Sequence, residues 1–212
     1  MPSGATLILL DGDLPGLIAL ATAAERLASD ATSVTAGLLN AMFDVTAAGD
    51  PARVRAAKAQ ASRWGVEMAR APIDSMQGHE SRSARLLLTL EAAREMNCRT
   101  VLWPIWSGRL SPPDQRDIDA ISTELDRVEL LTRLVGLDAG PTLEAPYADL
   151  DHDQLADLAV DLDVPASETW WGRHADEAPA GSEASDAERL RRRWLEALQA
   201  AGWRGSPEMT RA

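Results

Sequence analysis

The stretch that decides the fold reads TLILLDGDLPG and runs from Thr6 to Gly16. Residues 6–10 form a short, almost wholly apolar run, and an acidic turn at 11–13 ends it. Runs of this length, bounded by turn residues, are typical of buried parallel strands. Apolar residues then recur at helical spacing over residues 14–27. The stretch therefore predicts a strand, a tight loop and a helix.

The same alternation continues along the chain. The pattern predicts further strands at 33–39, 66–71, 100–104 and 142–145, and further helices at 51–64, 83–97, about 118–131, 151–162 and 186–200. Asp151 and Gln154 form a capping-box pattern at the start of the helix at 151–162. A segment at 172–185, rich in Gly, Ala, Ser and acidic residues, predicts a mobile loop. Alternating strands and helices indicate an α/β fold, built on a doubly wound parallel sheet of five strands.

This topology also predicts where a ligand would bind. In doubly wound sheets, ligands bind beyond the carboxyl ends of the strands, where the strand order reverses. The rule makes residues 11–16, which follow the first strand, the default binding position. Residues 1–150 are expected to form the α/β domain, 151–204 a helical C-terminal extension and 205–212 a flexible tail.

The composition excludes some classes of binding partner and some kinds of site. The chain has 33 acidic and 21 basic residues and a net charge of −12. Such a charge disfavours binding to nucleic-acid phosphates and to anionic membranes. Cys98 is the single cysteine, so neither an intrachain disulfide nor a multi-cysteine metal site can form. The first 30 residues have neither a basic leader nor a membrane-spanning run, and together these features predict a cytoplasmic protein.

Three segments resemble the 7-cyano-7-deazaguanine synthase family of the PP-loop ATP pyrophosphatase superfamily. That family has Ser-Gly-Gly-x-Asp-Ser after its first strand, and here the segment at 11–16 retains Gly12. Its Tyr-Pro-Asp-Cys-Arg stretch, associated with the deazapurine substrate, is similar to the segment at 112–116, which retains a Pro, the Asp and the Arg. A Thr-Trp pair, here at 169–170, and a basic helix containing an aromatic residue follow as in the family.

The resemblance implies a Rossmann-like PP-loop fold, also called adenine nucleotide alpha-hydrolase-like. It also implies a homodimer, with the Trp-bearing C-terminal helix as a contact surface. The family uses ATP and holds zinc on four cysteines, and it converts 7-carboxy-7-deazaguanine and ammonia to the nitrile, a step of queuosine biosynthesis. Together with the position of the first loop, the resemblance gives candidate residues for a purine-like ligand: Asp11, Gly12, Asp13, Gly16, Arg82, Asp114 and Arg116.

The chain departs from the family at both cofactor sites. Asp11 and Asp13 would place carboxylates against a polyphosphate, and Pro15 has no amide hydrogen to donate. The four zinc cysteines align with Gly172, Gly181, Ala184 and Ala187. We therefore expect neither ATP nor zinc to bind. The packing that zinc would supply is expected from Trp170, Trp171, Trp194 and Trp203.

Three functions remain open at this stage. The leading hypothesis is a non-catalytic or repurposed binding or scaffold protein. The second is an enzyme in which Asp11 and Asp13 hold a divalent cation such as Mg²⁺ and act on a nucleotide, nucleoside or phosphate ester, since Asp-x-Asp also resembles the haloacid-dehalogenase-like phosphatases. The third is a residual ATP-dependent ligase. Against any metal role, Asp11 or Asp13 can simply cap the helix that follows.

Overall fold

The protein was analysed as a computed structural model, which describes residues 5–29, 39–44, 51–69, 81–106, 115–137, 139–172 and 182–204. Five strands are present in the described part: β1 (Ala5–Leu10), β2 (Leu39–Phe43), β3 (Met68–Ala69), β4 (Cys98–Leu102) and β5 (Thr142–Glu144). The helices there are α1 (Leu14–Ser29), α2 (Pro51–Arg63), α3 (Arg82–Glu95), α4 (Gln115–Gly136), α5 (His152–Asp161) and α6 (Ser182–Ala200), with a 3-10 turn at Ala166–Glu168.

The strands form one sheet in the order β3-β2-β1-β4-β5, and every pairing is parallel. Successive strands run outward from β1 on one side and then on the other. This is the doubly wound arrangement, with the reversal of strand order beside β1. The predicted fold class, an α/β fold with a five-stranded parallel sheet, is confirmed.

Burial on both faces explains the apolar run in β1. Leu7 and Leu9 pack into a core with α3 and α4, whereas Ile8 and Leu10 pack into a second core with α1, α2, α5 and α6. A strand covered by helices on both faces needs apolar residues at successive positions rather than at alternate ones. The central position of β1 follows from this pattern.

The second strand is a correction. It was expected at 33–39 but comprises Leu39–Phe43, while residues 33–38 lie outside the described part. The pairing with β1 buries Ala41 and Met42, and the Asp44 amide donates to the Leu10 carbonyl oxygen at 2.8 Å. The prediction at 33–39 considered the local sequence alone, whereas contact with the buried β1 selects the later segment.

The C-terminal extension shares its core with the sheet. Its first helix, α5, begins with the predicted capping box: the Gln154 amide donates to Asp151 Oδ1, and the Asp151 amide donates to Gln154 Oε1. Helix α6 begins at Ser182, so the loop expected at 172–185 was placed too far along the chain, and residues 173–181 lie outside the described part.

The expectation that the tryptophan of α6 is exposed is wrong, and whether this helix contacts a partner stays a prediction. Trp194 is fully buried against α5 and the first core, as the helical spacing of the apolar residues around it requires. Among the described helices, none is both long enough and apolar enough to cross a membrane.

Candidate functional site

The loop after β1 is tightly built around a glycine. Gly12 has a φ of +82°, a backbone conformation that favours glycine. A Cβ at this position would lie 2.6 Å from the carbonyl oxygen of Arg53 in α2. The Gly12 carbonyl oxygen accepts a hydrogen bond from the Trp170 amide at 2.8 Å. The loop is therefore held between α2 and the C-terminal extension.

The carboxylates of this loop bind the amides at the start of α1. Asp11 Oδ1 accepts from the Asp13 amide at 3.0 Å, and Asp13 Oδ1 accepts from the Leu14 amide at 2.8 Å. The next residue, Pro15, has no amide hydrogen. A phosphate at a helix N-terminus is bound by these same amides. The two aspartates accept from amides that a phosphate at this loop could otherwise contact, although the amides of Asp13 and Leu14 precede the N2 and N3 amides that a helix cap binds.

Asp13 is a buried carboxyl with a second donor. Its side chain is enclosed, with 4% of the residue exposed, and Oδ1 also accepts from Trp171 Nε1 at 2.6 Å. The pKa of Asp13 is raised from 3.8 to about 6, first by burial and then by the neighbouring Asp11 carboxylate. The Arg53 guanidinium and the hydrogen bonds from Trp171 and Leu14 act in the opposite direction.

Asp11 is paired with Arg53, whose Nη1 lies 3.0 Å from Asp11 Oδ2. The same guanidinium lies 4.4 Å from the centre of the Trp170 ring. A divalent cation at Asp11 and Asp13 would compete with this arginine and with the donors on Asp13. Within the residues that the structure describes, no group of three or more His, Cys, Asp or Glu could hold a metal ion.

Side chains fill the space on both sides of the end of β1. On the α1 side, Gln60 Nε2 lies 3.3 Å from the carbonyl oxygens of Asp13 and Glu168, and a Cβ on Gly16 would lie 3.4 Å from Gln60 Oε1. On the α3 side, the buried Trp103 donates from Nε1 to Asp44 Oδ2 at 2.9 Å and so joins the ends of β4 and β2. Packed side chains therefore border the default position on both sides.

An aromatic cluster lies in the region where the family's zinc site was expected. The rings of Trp171 and Trp194 are stacked with centres 6.4 Å apart, and Trp106 lies 5.0 Å from Trp194 and 4.4 Å from the His152 ring. Trp170 is buried as well, and Trp203 packs against the same core. The prediction that these tryptophans pack together is confirmed, and their replacement of a zinc site stays a prediction. Of the aligned zinc positions, Gly181 lies outside the described part.

Of the remaining candidate residues, Arg82 is the one whose side chain the structure describes. Arg82, the first residue of α3, donates from Nη1 to Glu124 Oε1 at 2.8 Å. Arg127 donates from Nε to Glu124 Oε2 at 2.9 Å. Arg116 lies in the first turn of α4 with its side chain outside the described part, and Asp114 is not described. The structure therefore does not bring Arg82 into contact with the loop at Gly12.

A cavity of about 300 Å³ opens beside Arg82. Its walls come from the start of α3, the residues after β4, the first turns of α4 and the loop after β5: Arg82, Ile105, Trp106, Ala120, Ile121, Glu124 and Ala148. It lies at the carboxyl end of the sheet, where the fold is expected to bind ligands. Arg82, Arg127 and Glu124 beside the cavity together carry one net positive charge, in a chain that is acidic as a whole.

Sequence reasoning missed Arg53, Gln60, Glu124 and Trp106. Trp171 was predicted to pack but not to bond Asp13, from which it is separated by 158 positions. The helical pattern places Arg53 in the first turn of α2, yet nothing in the sequence shows that this turn faces the Gly12 loop. These contacts depend on the tertiary arrangement and leave no local sequence signal.

Comparisons with known proteins place few constraints on function. No protein-family model matches the chain, and no curated protein matches it in sequence. One solved structure that is similar is the U34-tRNA thiolase NcsA from Methanococcus maripaludis with its [4Fe-4S] cluster. It has 11% sequence identity and a TM-score of 0.47, and the match covers 95% of this chain and 72% of the thiolase chain. The functional conclusion therefore rests on the geometry of the site.

Proposed function

We propose that this protein is a non-catalytic, repurposed relative of the PP-loop enzymes that binds a small planar ligand and does not use ATP. One observation carries the proposal: the carboxylates of Asp11 and Asp13 bind the amides at the start of α1. An amide hydrogen that already donates to a carboxylate of the same loop is not available to a phosphate oxygen.

Electrostatics acts in the same direction. A phosphate oxygen about 4 Å from one of these carboxylates would meet a repulsion of roughly 4 kcal/mol at the effective dielectric near a protein surface. That free energy corresponds to about a thousandfold in affinity. Displacing the aspartates would also break the bond from Trp171 to Asp13 and the ion pair of Asp11 with Arg53. A triphosphate would have to offset all of these losses.

The cavity beside Arg82 supports the ligand part of the proposal. Its volume of about 300 Å³ lies at the small end of the range for small-molecule sites, which suits a single heterocycle better than a nucleotide. Trp106 offers a ring for stacking, and Arg82 offers donors for a carbonyl or carboxylate. A planar base that bears an acidic group matches both features, and 7-carboxy-7-deazaguanine has this chemistry.

Calorimetric titration with ATP and Mg²⁺ tests the first part. We expect no binding below the millimolar range, and a micromolar Kd would overturn the proposal. Incubation with 7-carboxy-7-deazaguanine, ATP and ammonia is expected to yield no nitrile by mass spectrometry. Turnover would instead establish the residual ligase activity.

A second titration tests the cavity. We expect 7-carboxy-7-deazaguanine to bind more tightly than guanine, because only the former can give Arg82 a carboxylate. Arg82→Ala should weaken binding about tenfold or more, in line with the loss of a charged hydrogen bond. Arg99→Ala removes an exposed arginine of β4 and serves as the matched control. Equal affinities of the wild type and Arg82→Ala for both ligands would contradict the assignment of the ligand to this cavity.

A further inference from the structure

Glu124 is held beside the cavity by two arginines. Its Oε1 accepts from Arg82 Nη1 at 2.8 Å, and its Oε2 accepts from Arg127 Nε at 2.9 Å. Arg127 Nη1 also donates to Ser83 Oγ on α3, so this arginine is fixed between α3 and α4 and keeps Glu124 in place. The side chain of Glu124 is 18% exposed and that of Arg82 is 44% exposed. A ligand in the cavity therefore reaches Arg82 more readily than Glu124.

The balance of charges in this cluster fits one acid group on the ligand. Two guanidinium groups share the single carboxylate of Glu124. A ligand carboxylate that binds Arg82 leaves Glu124 paired with Arg127, so each charge of the cluster then has a partner of opposite sign. A phosphate monoester brings a second negative charge, and this charge has no partner left in the cluster. The cluster therefore favours a monoanion.

Glu124 stays close to a ligand that binds in this way. Two acceptors that share one guanidinium lie roughly 5 Å apart, because each is one hydrogen bond away from it. At that separation near a protein surface, the repulsion from Glu124 lowers the affinity about tenfold for each negative charge on the ligand. Among the residues that the structure describes, further charged residues neighbour the cluster or the cavity wall in sequence without lining the cavity: Arg85, Asp119, Asp126 and Asp149.

We propose that Glu124 is a specificity-determining residue, which restricts this cavity to planar ligands with a single negative charge and disfavours phosphate esters. Arg127 is a positioning residue that acts through Glu124. The proposal rests on the proposed function, because it takes the cavity beside Arg82 as the ligand site. It adds the residue that selects a carboxylate over a phosphate.

Calorimetric titration at about pH 8 with three probes tests the proposal. Naphthoate and naphthalenesulfonate carry one negative charge, and naphthyl phosphate, substituted at the same ring position, carries nearly two at this pH. The sulfonate and the phosphate are both tetrahedral, so their comparison separates the effect of charge from that of shape. We expect the wild type to bind both monoanions with a Kd of about 100 µM and the phosphate no more tightly.

Glu124→Gln keeps the shape of the side chain and removes its charge. It should lower the Kd of naphthalenesulfonate about tenfold and that of naphthyl phosphate about a hundredfold, so the ratio of the two changes about tenfold. The matched control is Glu129→Gln, which removes the same charge from an exposed ion pair with Arg133 on the same helix, outside the cavity wall. The control should leave both constants within about twofold, because solvent and salt screen its charge. Circular dichroism establishes that each variant is folded.

A double-mutant cycle tests the positioning role of Arg127. Arg127→Met removes the guanidinium that Glu124 retains when a ligand takes Arg82. It should raise the Kd of naphthoate about tenfold in the wild-type background, but less than about threefold together with Glu124→Gln, because the side chain that Arg127 neutralises is then uncharged. A purely structural role of Arg127 would weaken binding equally in both backgrounds and would overturn its assignment as a positioning residue.

The results distinguish failure of this inference from failure of the proposed function. If naphthoate binds and Arg82→Ala weakens its binding, the cavity is the ligand site. An unchanged ratio of the phosphate and sulfonate constants in Glu124→Gln then overturns the role of Glu124 alone, and so does an equal change in Glu129→Gln. If neither naphthoate nor 7-carboxy-7-deazaguanine binds, the ligand site is wrong and both proposals fail.

Discussion

Replacing Asp13 by Asn should stabilise the protein at neutral and alkaline pH. Both donors, the Leu14 amide and Trp171 Nε1, reach the same atom, Oδ1, and an asparagine side-chain oxygen can accept both. What the substitution removes is a buried negative charge beside the Asp11 carboxylate. The buried charge is thus predicted to reduce stability, even though the hydrogen bonds that it accepts are favourable.

The magnitude follows from the pKa of Asp13. A rise from 3.8 in the unfolded chain to about 6 in the folded protein is about two units, which corresponds to about 3 kcal/mol. Because the folded state holds the proton more tightly, the ionisation of Asp13 has no effect on stability below about pH 4. The stability falls as the pH rises through about 6 and stays lower above it.

The assay is urea unfolding of wild type and Asp13→Asn from about pH 4 to about pH 8. The difference in unfolding free energy should change by about 3 kcal/mol across this range in favour of the variant. Any cost of placing the new amide nitrogen is the same at each pH, so it shifts the curve without changing its shape. Asp157→Asn, at an exposed position of α5, is the control and should give a flat difference. A flat difference for Asp13→Asn would refute the reasoning.

Three further substitutions test the contacts around this loop. Trp171→Phe keeps a ring but removes the donor to Asp13, so it should lower the free energy of unfolding by about 2–4 kcal/mol. The same urea unfolding should show a larger loss at about pH 8 than at about pH 4, because the Asp13 carboxylate is charged at the higher pH. Gly12→Ala should lower the free energy of unfolding by about 3 kcal/mol, because it combines a positive φ with a Cβ 2.6 Å from a carbonyl oxygen. The control is Gly65→Ala, which has a positive φ but open space and should lower it by about 1 kcal/mol. Equal losses for the two variants would contradict the close contact at Gly12. Arg53→Met should lower the melting temperature by only a few degrees, because its partner Asp11 is part-exposed, and a loss of folding would contradict this.

The sequence predicts the order and type of most elements because those depend on local patterns. The apolar run of β1 and the capping box at Asp151 are complete within a few residues, and both are present in the structure. Segment 33–39 shows where local patterns fail, since the choice of β2 depends on which residues β1 buries. The pairing of Asp13 with Trp171 is beyond any local pattern, because it joins the first loop to the C-terminal extension.

The distinction between what local patterns determine and what distant contacts determine applies to function as well. The fold determines that a loop with free amides would follow β1, and this would hold for any sequence with this strand order. Whether those amides bind an external anion depends on two side chains that the fold does not constrain. Asp11 and Asp13 place acceptors at the amides from within the chain, and α2 and the extension add Arg53 and Trp171 as partners for them. An anion from solution would have to displace both carboxylates together, since each lies beside the other, so our proposal is that the loop excludes phosphate through its own charges rather than through its shape alone.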